Sequence, residues 1–292
     1  MKEKIRFLIE LLRVKQWVKN IFIFFPALFG GQLQEFPLLI NCLIAYLGFC
    51  LVSSGLYILN DYLDRDKDRL HPRKARRPLV RSTINKNTLN LIIITLVASG
   101  LAICAQVNSS VFSIAVIYIF IHLIYNFYIK GVVLLDVAFI AAGFQIRIWA
   151  GSLAAGVFPS VWLQMCVFLL ALFLGFTKRR YELSTLKDKA SEHRSVLAHY
   201  TSYLLDQIII ICSTLAIAFY GLYTISFDIV HRVGSQNMVY SVAFVIYGIF
   251  RYLYLVHVKK LGDEPGEVLA TDTPLLVNVL LWIGYVAILL YK

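Results

Sequence analysis

The sequence predicts an all-α polytopic membrane protein of nine transmembrane helices with its N-terminus in the cytoplasm. Three observations carry this. Of 292 residues, 59% are hydrophobic and 15% charged, where soluble domains run near ~25% charged. The mean hydropathy is +0.73. The apolar residues fall into stretches of membrane-spanning length, and every such stretch must be helical, because hydrocarbon offers no partner to an open backbone group. A soluble globular protein, a disordered chain and a disulfide scaffold are excluded.

Residues 1–16 read as an amphipathic N-terminal segment, with a helix over residues 3–14 lying on the membrane surface. Ile5, Leu8, Ile9 and Leu12 make one stripe, and Lys2, Lys4, Arg6 and Arg13 are placed to meet anionic lipid. The apolar run that follows is interrupted by Arg13, Lys15 and Lys19, so it does not read as a cleavable leader. The nine apolar segments are 18–33, 37–59, 88–106, 110–128, 132–154, 158–176, 201–226, 237–256 and 274–291. The first is short and carries Asn20 and Pro26. The whole of 1–292 reads as a single transmembrane domain, without internal repeats.

Orientation follows from the basic residues. Of 28 Lys and Arg, 24 fall in the alternating segments 1–19, 60–87, 129–131, 177–200 and 257–273. The positive-inside rule puts these in the cytoplasm. Arg147 and Arg251 lie within spans, and only Arg232 and Lys292 fall on the other side. The five cysteines all lie in apolar stretches with no C-x-x-C among them, which favours buried packing over disulfides or zinc.

The strongest chemical signal is the run Asn60-Asp61-Tyr62-Leu63-Asp64-Arg65-Asp66-Lys67-Asp68-Arg69 after the second span. On a continuing helix Asp64 lies about 60° and Asp68 about 20° from Asp61, so the three carboxylates share a face with Asn60 at its margin, while Asp66 points elsewhere. Like charges on one stripe repel unless a cation sits among them. Oxygen ligands of this kind suit Mg²⁺, which prefers one or two carboxylates plus substrate phosphates. The basic run from His71 to Pro78, with Arg73, Lys74 and Arg77, follows directly. An acidic stripe beside a basic cluster suits a diphosphate with bound Mg²⁺. A solvated loop of mixed charge is the plainer alternative.

The N-D-x-x-D-x-x-x-D run after the second span, followed by H-P-x-K-x-x-R-P, resembles the UbiA superfamily of intramembrane prenyltransferases. The resemblance spans nearly the whole chain. It implies nine helices and a Mg²⁺-diphosphate site at the cytoplasmic mouth of a lipid-accessible cavity.

Ordinary members carry a further D-x-x-x-D after the sixth span. Here that place reads Gly175-Phe176-Thr177-Lys178-Arg179-Arg180-Tyr181-Glu182-Leu183. Cations in place of carboxylates suggest direct binding of an anion: Lys178 as a point charge, Arg179 and Arg180 forked onto phosphate oxygens, Glu182 holding Lys178 from one turn away. Asp263 and Glu267 are separated by Pro265 and Gly266, so a common helix face is not expected of them. His122, Asn126 and Lys130, with Tyr118 and Tyr125 nearby, form a polar face at the cytoplasmic end of the fourth span. Asp136, Gly143 and Arg147 align in the fifth. A charge as deep as Arg147 must face protein or a wet cavity; it reads either as a structural ion pair or as a phosphate ligand.

With the segments Lys15–Asn20, Tyr125–Lys130, Gly143–Arg147, Lys178–Leu183 and Gly262–Glu267, the sequence is similar to one branch of that superfamily. That branch moves 5-phosphoribose from phosphoribosyl diphosphate to a polyprenyl phosphate, giving a precursor of cell-envelope arabinan. The resemblance implies Mg²⁺ held by Asp61, Asp64 and Asp68, which are also the catalytic residues. Asn60, Lys19, Arg73, Lys74, Arg77, Tyr125, Asn126, Lys130, Arg147, Lys178, Arg179, Arg180, Tyr181 and Glu182 are expected to bind substrate. The partners expected are phosphoribosyl diphosphate, a polyprenyl phosphate and the lipid bilayer of a bacterial inner membrane, with no nucleic acid. The alternatives are a prenyltransferase moving a prenyl group from a prenyl diphosphate to an aromatic acceptor, and a lipid transporter or scaffold.

Overall fold

The structure is a computed structural model that describes residues 2–69, 74–82, 84–186, 195–262 and 265–292. Among them there is no strand; the chain is a bundle of helices. Helix α1 (Lys2–Leu11) precedes the long helices α2 (Phe36–Leu63), α3 (Lys86–Val107), α4 (Ser109–Ile124), α5 (Leu135–Ala155), α6 (Val161–Leu186), α7 (Ser202–Thr224), α8 (Val242–His257) and α9 (Thr273–Tyr291). Eight helical stretches among the described residues are long and apolar enough to cross a membrane.

The first apolar segment is built differently from the others. Val14–Phe24 winds as a 3₁₀-helix and continues as the short α-helix Phe25–Phe29, with Pro26 in its first turn. Because a 3₁₀-helix rises about 2.0 Å per residue, these two pieces together extend about 30 Å, close to the thickness of a hydrocarbon core. Tight approach to α5 makes this possible. A Cβ on Gly151 would lie 1.8 Å from the Ile23 carbonyl oxygen, so only glycine fits there. Gly48 and Gly100 serve the same purpose between α2 and α3, where each one's missing side chain is filled by the other's carbonyl.

Helix α1 leaves Ile5, Leu8 and Ile9 about half exposed, while Leu11 packs with Ile58, Leu79 and Leu89. That is the disposition of a helix lying on lipid with one edge tied to the bundle. Exposed Leu91, Ile94, Phe120, Ile210, Phe250 and Leu280 face outward from their helices. In water such a surface would be an aggregation patch; in a bilayer it is the solvent-matched face. All five cysteines are free.

Between α4 and α5 the chain passes through one π-helical turn, Tyr125–Ile129. Such turns cluster at functional sites because they turn side chains off the regular helical face. Here the turn sets Asn126 inward and ends at Lys130.

Candidate active site

The site gathers where the end of α2 meets the chain leaving α1. Helix α2 stops at Leu63; Asp64 caps it at φ −95°, ψ 4°, and a short helix, Arg65–Arg69, follows. Backbone bonds from Asp64 to Asn60 (3.0 Å) and from Asp68 to Asp64 (2.8 Å) carry the helical path across the break. Asp61 and Asp68 are both 5% exposed and converge on one arginine: Arg77 Nη1 donates to Asp61 Oδ1 at 2.8 Å and to Asp68 Oδ2 at 2.5 Å. Burial pushes the Asp68 carboxyl above the usual carboxylate range, against the opposing pull of Arg77 and Lys74.

Asp64 does not join that pair. Its Oδ1 accepts from Lys130 Nζ at 2.5 Å. The expected stripe of three carboxylates is therefore split, and among the described residues no three His, Cys, Asp or Glu side chains stand as a ready-made metal cage. The reason is the end of α2: at the Asp64 cap the face turns toward the π-helical turn, and like charges separate when cations from three segments are there to receive them. Asp66 points away as expected and pairs with Arg69, its side chain 91% exposed.

The donor set still fits Mg²⁺. All the acidic ligands are oxygens, and Asp61 and Asp68 already accommodate one cationic centre between them, the number of carboxylates that Mg²⁺ takes alongside substrate phosphates.

Arg13 was read as a lipid-facing cation; the structure places it in the site. It sits in the left-handed region (φ 51°) at the hinge after α1, and its guanidinium grips Asp61 at two points, Nε–Oδ2 2.8 Å and Nη2–Oδ1 2.5 Å. Tyr57, one turn before Asp61, was also missed. The spacing to Asp61 was the available signal, since residues four apart share a helix face. Arg13 lies 5.5 Å and Lys19 5.9 Å from the centre of its ring, and the charge of Arg147 acts on it.

Arg147 is 3% exposed. It donates to Asn20 Oδ1 (2.7 Å), the Gly143 carbonyl (2.7 Å) and the Tyr118 hydroxyl (2.6 Å), and stacks over the Tyr118 ring. The structural ion pair considered for it is not present among the described residues: all these partners are neutral. His122 rests on Tyr118, ring centres 4.0 Å apart. Asn126 is buried and its Oδ1 has no hydrogen-bond partner among the described residues.

The cationic run on α6 divides. Arg179, 1% exposed, donates to Asp136 Oδ2 at 2.7 Å and Glu182 Oε2 at 3.0 Å, and the Tyr200 hydroxyl closes the group on Asp136 at 3.0 Å. Two carboxylates already neutralise it, so the expectation that Arg179 forks onto a phosphate is corrected: it is a clamp between α5 and α6. Glu182 accordingly serves Arg179 rather than Lys178 alone. Arg180 pairs with Asp206 at 2.9 Å, tying α6 to α7. Tyr181 packs against Gly262 and the core around α6. Lys178 is half-buried on the same helix, and Tyr125 lies in electrostatic reach of Arg179. Asn60 is half-buried beside Asp61, and Lys74 acts on Asp68. Arg73 and Asp263 lie outside the described residues. Glu267 meets Lys15 at the surface, 3.1 Å apart.

Comparison with known proteins agrees with this architecture. The chain is 27% identical, over 97% of its length and 92% of the relative's, to a decaprenyl-phosphate phosphoribosyltransferase of Mycolicibacterium smegmatis. It is 29% identical to one of Corynebacterium glutamicum, over 97% and 86%. Among solved structures, a UbiA homolog from Archaeoglobus fulgidus bound to DMAPP and Mg²⁺ shares the fold with a TM-score of 0.69 at 20% identity, covering 97% of this chain and 98% of that one. Residues 21–265 match the model of the UbiA prenyltransferase family. The helical bundle, the acidic run at the end of its first long helix and this match together make the chain a member of the UbiA prenyltransferase family.

Proposed function

We propose that the protein transfers 5-phosphoribose from phosphoribosyl diphosphate to a polyprenyl phosphate at the cytoplasmic face of a bacterial inner membrane, with Mg²⁺ as cofactor and diphosphate as the released product. The observation that carries this is Arg147: a buried guanidinium whose hydrogen-bond partners among the described residues are all neutral. Unmatched positive charge at that depth suits a phosphorylated sugar and opposes an isoprenoid tail, which is what a prenyl diphosphate would put there. The names of the mycobacterial and corynebacterial relatives point the same way.

In this reading Asp61 and Asp68, with Asp64 and Asn60, hold the metal. Bound Mg²⁺ would neutralise the diphosphate leaving group. Arg13, Arg77 and Lys130, which now face the carboxylates, stand within reach of the diphosphate oxygens. An oxygen of the lipid phosphate attacks the anomeric carbon, the bond from that carbon to the diphosphate oxygen breaks, and the diphosphate leaves with the electron pair. A phosphate monoester with a second pKa of about 6 is largely dianionic near neutrality, so no side chain need remove a proton. Lys178, half-buried on α6, is the residue assigned to that attacking phosphate, and the polyprenyl chain lies among apolar helices open to the bilayer.

The test is direct. Purified protein with Mg²⁺, ribose-labelled phosphoribosyl diphosphate and a polyprenyl phosphate should yield lipid-extractable label and one diphosphate per transfer. Label that stays in the aqueous phase, with turnover of geranyl diphosphate and an aromatic acid instead, would establish the prenyl reading.

A further inference from the structure

We infer that Lys19, Tyr57 and Arg147 form the subsite for the 5-phosphate of the donor sugar, and that this group selects against prenyl diphosphates; the inference rests on phosphoribosyl diphosphate being the donor. The interior cations divide by whether a carboxylate answers their charge. Arg13, Arg77, Lys130, Arg179 and Arg180 each face a carboxylate at 3.0 Å or less. Arg147 and Lys19 do not. The three hydrogen bonds that Arg147 donates to Asn20, Gly143 and Tyr118 satisfy much of its capacity, but an amide, a carbonyl and a phenol leave its charge uncompensated. Lys19 is half-buried, and its ammonium lies over the Tyr57 ring, without a carboxylate partner among the described residues.

A buried charge without a counter-charge is among the costlier arrangements a fold can keep. Here a buried guanidinium and a half-buried ammonium both act on one tyrosine. A phosphate dianion placed against Lys19 and the Tyr57 hydroxyl would complete the charge balance, with Arg147 behind the hydroxyl supplying the field and its remaining N–H groups. Asn20 ties the subsite together: it accepts from Arg147 through Oδ1 and donates to Ser53 through Nδ2 at 3.3 Å, which fixes the Arg147 side chain without neutralising it.

The position agrees with the length of the donor. Tyr57 precedes Asp61 by one turn of α2, about 6 Å along the helix. A diphosphate gripped at Asp61 and Asp68 projects its sugar down that face, and a furanose ring separates the anomeric oxygen from the 5-phosphate by a similar span. An isoprenoid diphosphate gripped in the same place would press hydrocarbon onto Lys19 and Arg147. The selection is thus made by what these side chains repel as much as by what they bind.

The experiment measures equilibrium binding in nanodiscs, using two fragments of the donor: ribose 5-phosphate without metal, and pyrophosphate with Mg²⁺. Wild type should bind both. Lys19→Gln should weaken ribose 5-phosphate by about tenfold or more, as expected for loss of a charged hydrogen bond, and leave pyrophosphate nearly unchanged. Asp64→Asn should do the reverse. Tyr57→Phe keeps the ring and should weaken ribose 5-phosphate several-fold; it carries the test alongside Lys19→Gln should an Arg147 variant fail to fold. Wild type that binds intact phosphoribosyl diphosphate but whose ribose 5-phosphate affinity is indifferent to Lys19→Gln would overturn the subsite alone. Wild type that ignores phosphoribosyl diphosphate and binds geranyl diphosphate would overturn both the subsite and the function on which it rests.

Discussion

Arg13 and Asp61 form a two-point guanidinium–carboxylate pair, 2.8 and 2.5 Å, between the hinge that follows the surface helix and the end of the first long helix. The side chains are 19% and 7% exposed, so the pair is largely removed from water. It couples α1, with its half-exposed apolar stripe, to the acidic site. Arg13→Gln should therefore lower thermal stability and cut transfer together, by roughly tenfold or more in kcat/KM, and Arg13→Lys should fall between, since lysine keeps the charge and loses the fork. Unfolding midpoints and initial rates measured side by side check this. Unchanged rates in a stable Arg13→Gln protein would remove Arg13 from the site.

Asp64 and Asp66 are two residues apart and have opposite surroundings. Asp64 meets Lys130 in the site, whereas Asp66 is 91% exposed against Arg69. Asp64→Asn should lose about 10²–10³ in kcat, the scale of losing one well-placed electrostatic group. Asp66→Asn should stay near wild type. Initial rates across a Mg²⁺ titration check both, and an equal loss at the two positions would contradict the facing of the acidic run.

The acidic run shows how far sequence periodicity reaches. Asp61 and Asp68 are seven residues apart, about two helical turns, and that spacing predicts the shared side on which both meet Arg77. The departure of Asp64 does not, because it depends on α2 ending at Leu63 and on a π-helical turn bringing Lys130 opposite. Arg147 and Arg179 make the same point about depth. Both read as candidate phosphate ligands on helices, but only tertiary packing sets Asp136 and Glu182 against one and neutral oxygens against the other. Arg13 was illegible for a local reason: a left-handed backbone at a non-glycine residue has no signature in a hydrophobic pattern. The first apolar segment was legible as a segment and not in its winding, since composition counts residues and a 3₁₀-helix changes the rise of each.

Arg179 should behave as a structural group. Its side chain is 2% exposed, and its carboxylate partners Asp136 and Glu182 are 0% and 6% exposed. Arg179→Met leaves both carboxylates buried without a cation, which costs on the order of 3–5 kcal/mol. The Asp136→Asn change in that background should recover part of the loss by removing one of the stranded charges. Chemical denaturation in mild detergent measures both variants. A double variant no more stable than Arg179→Met would argue against the clamp.

The last long helix is tied down by an acid-sensitive pair. Arg251 of α8 donates to both oxygens of Asp272, at 3.1 and 2.8 Å, and Asp272 also accepts from the Leu275 N–H at 2.9 Å as the cap of α9. The hydrogen bonds from Arg251 hold the Asp272 carboxyl below the usual carboxylate range, with help from Leu275. A carboxyl whose value is depressed in the folded state stabilises the fold above its unfolded value of about 3.9, and that contribution is lost as pH falls through the lower, folded value. Arg251→Gln should accordingly be less stable than wild type near neutrality, and the gap between the two melting temperatures should narrow as pH drops below about 4. Leu275 still bonds Asp272 in the variant, so the helix cap survives and the comparison isolates the Arg251 contribution. Melting curves at neutral and acidic pH decide the matter: a gap that widens on acidification would mean that Asp272 is not the titrating group behind it.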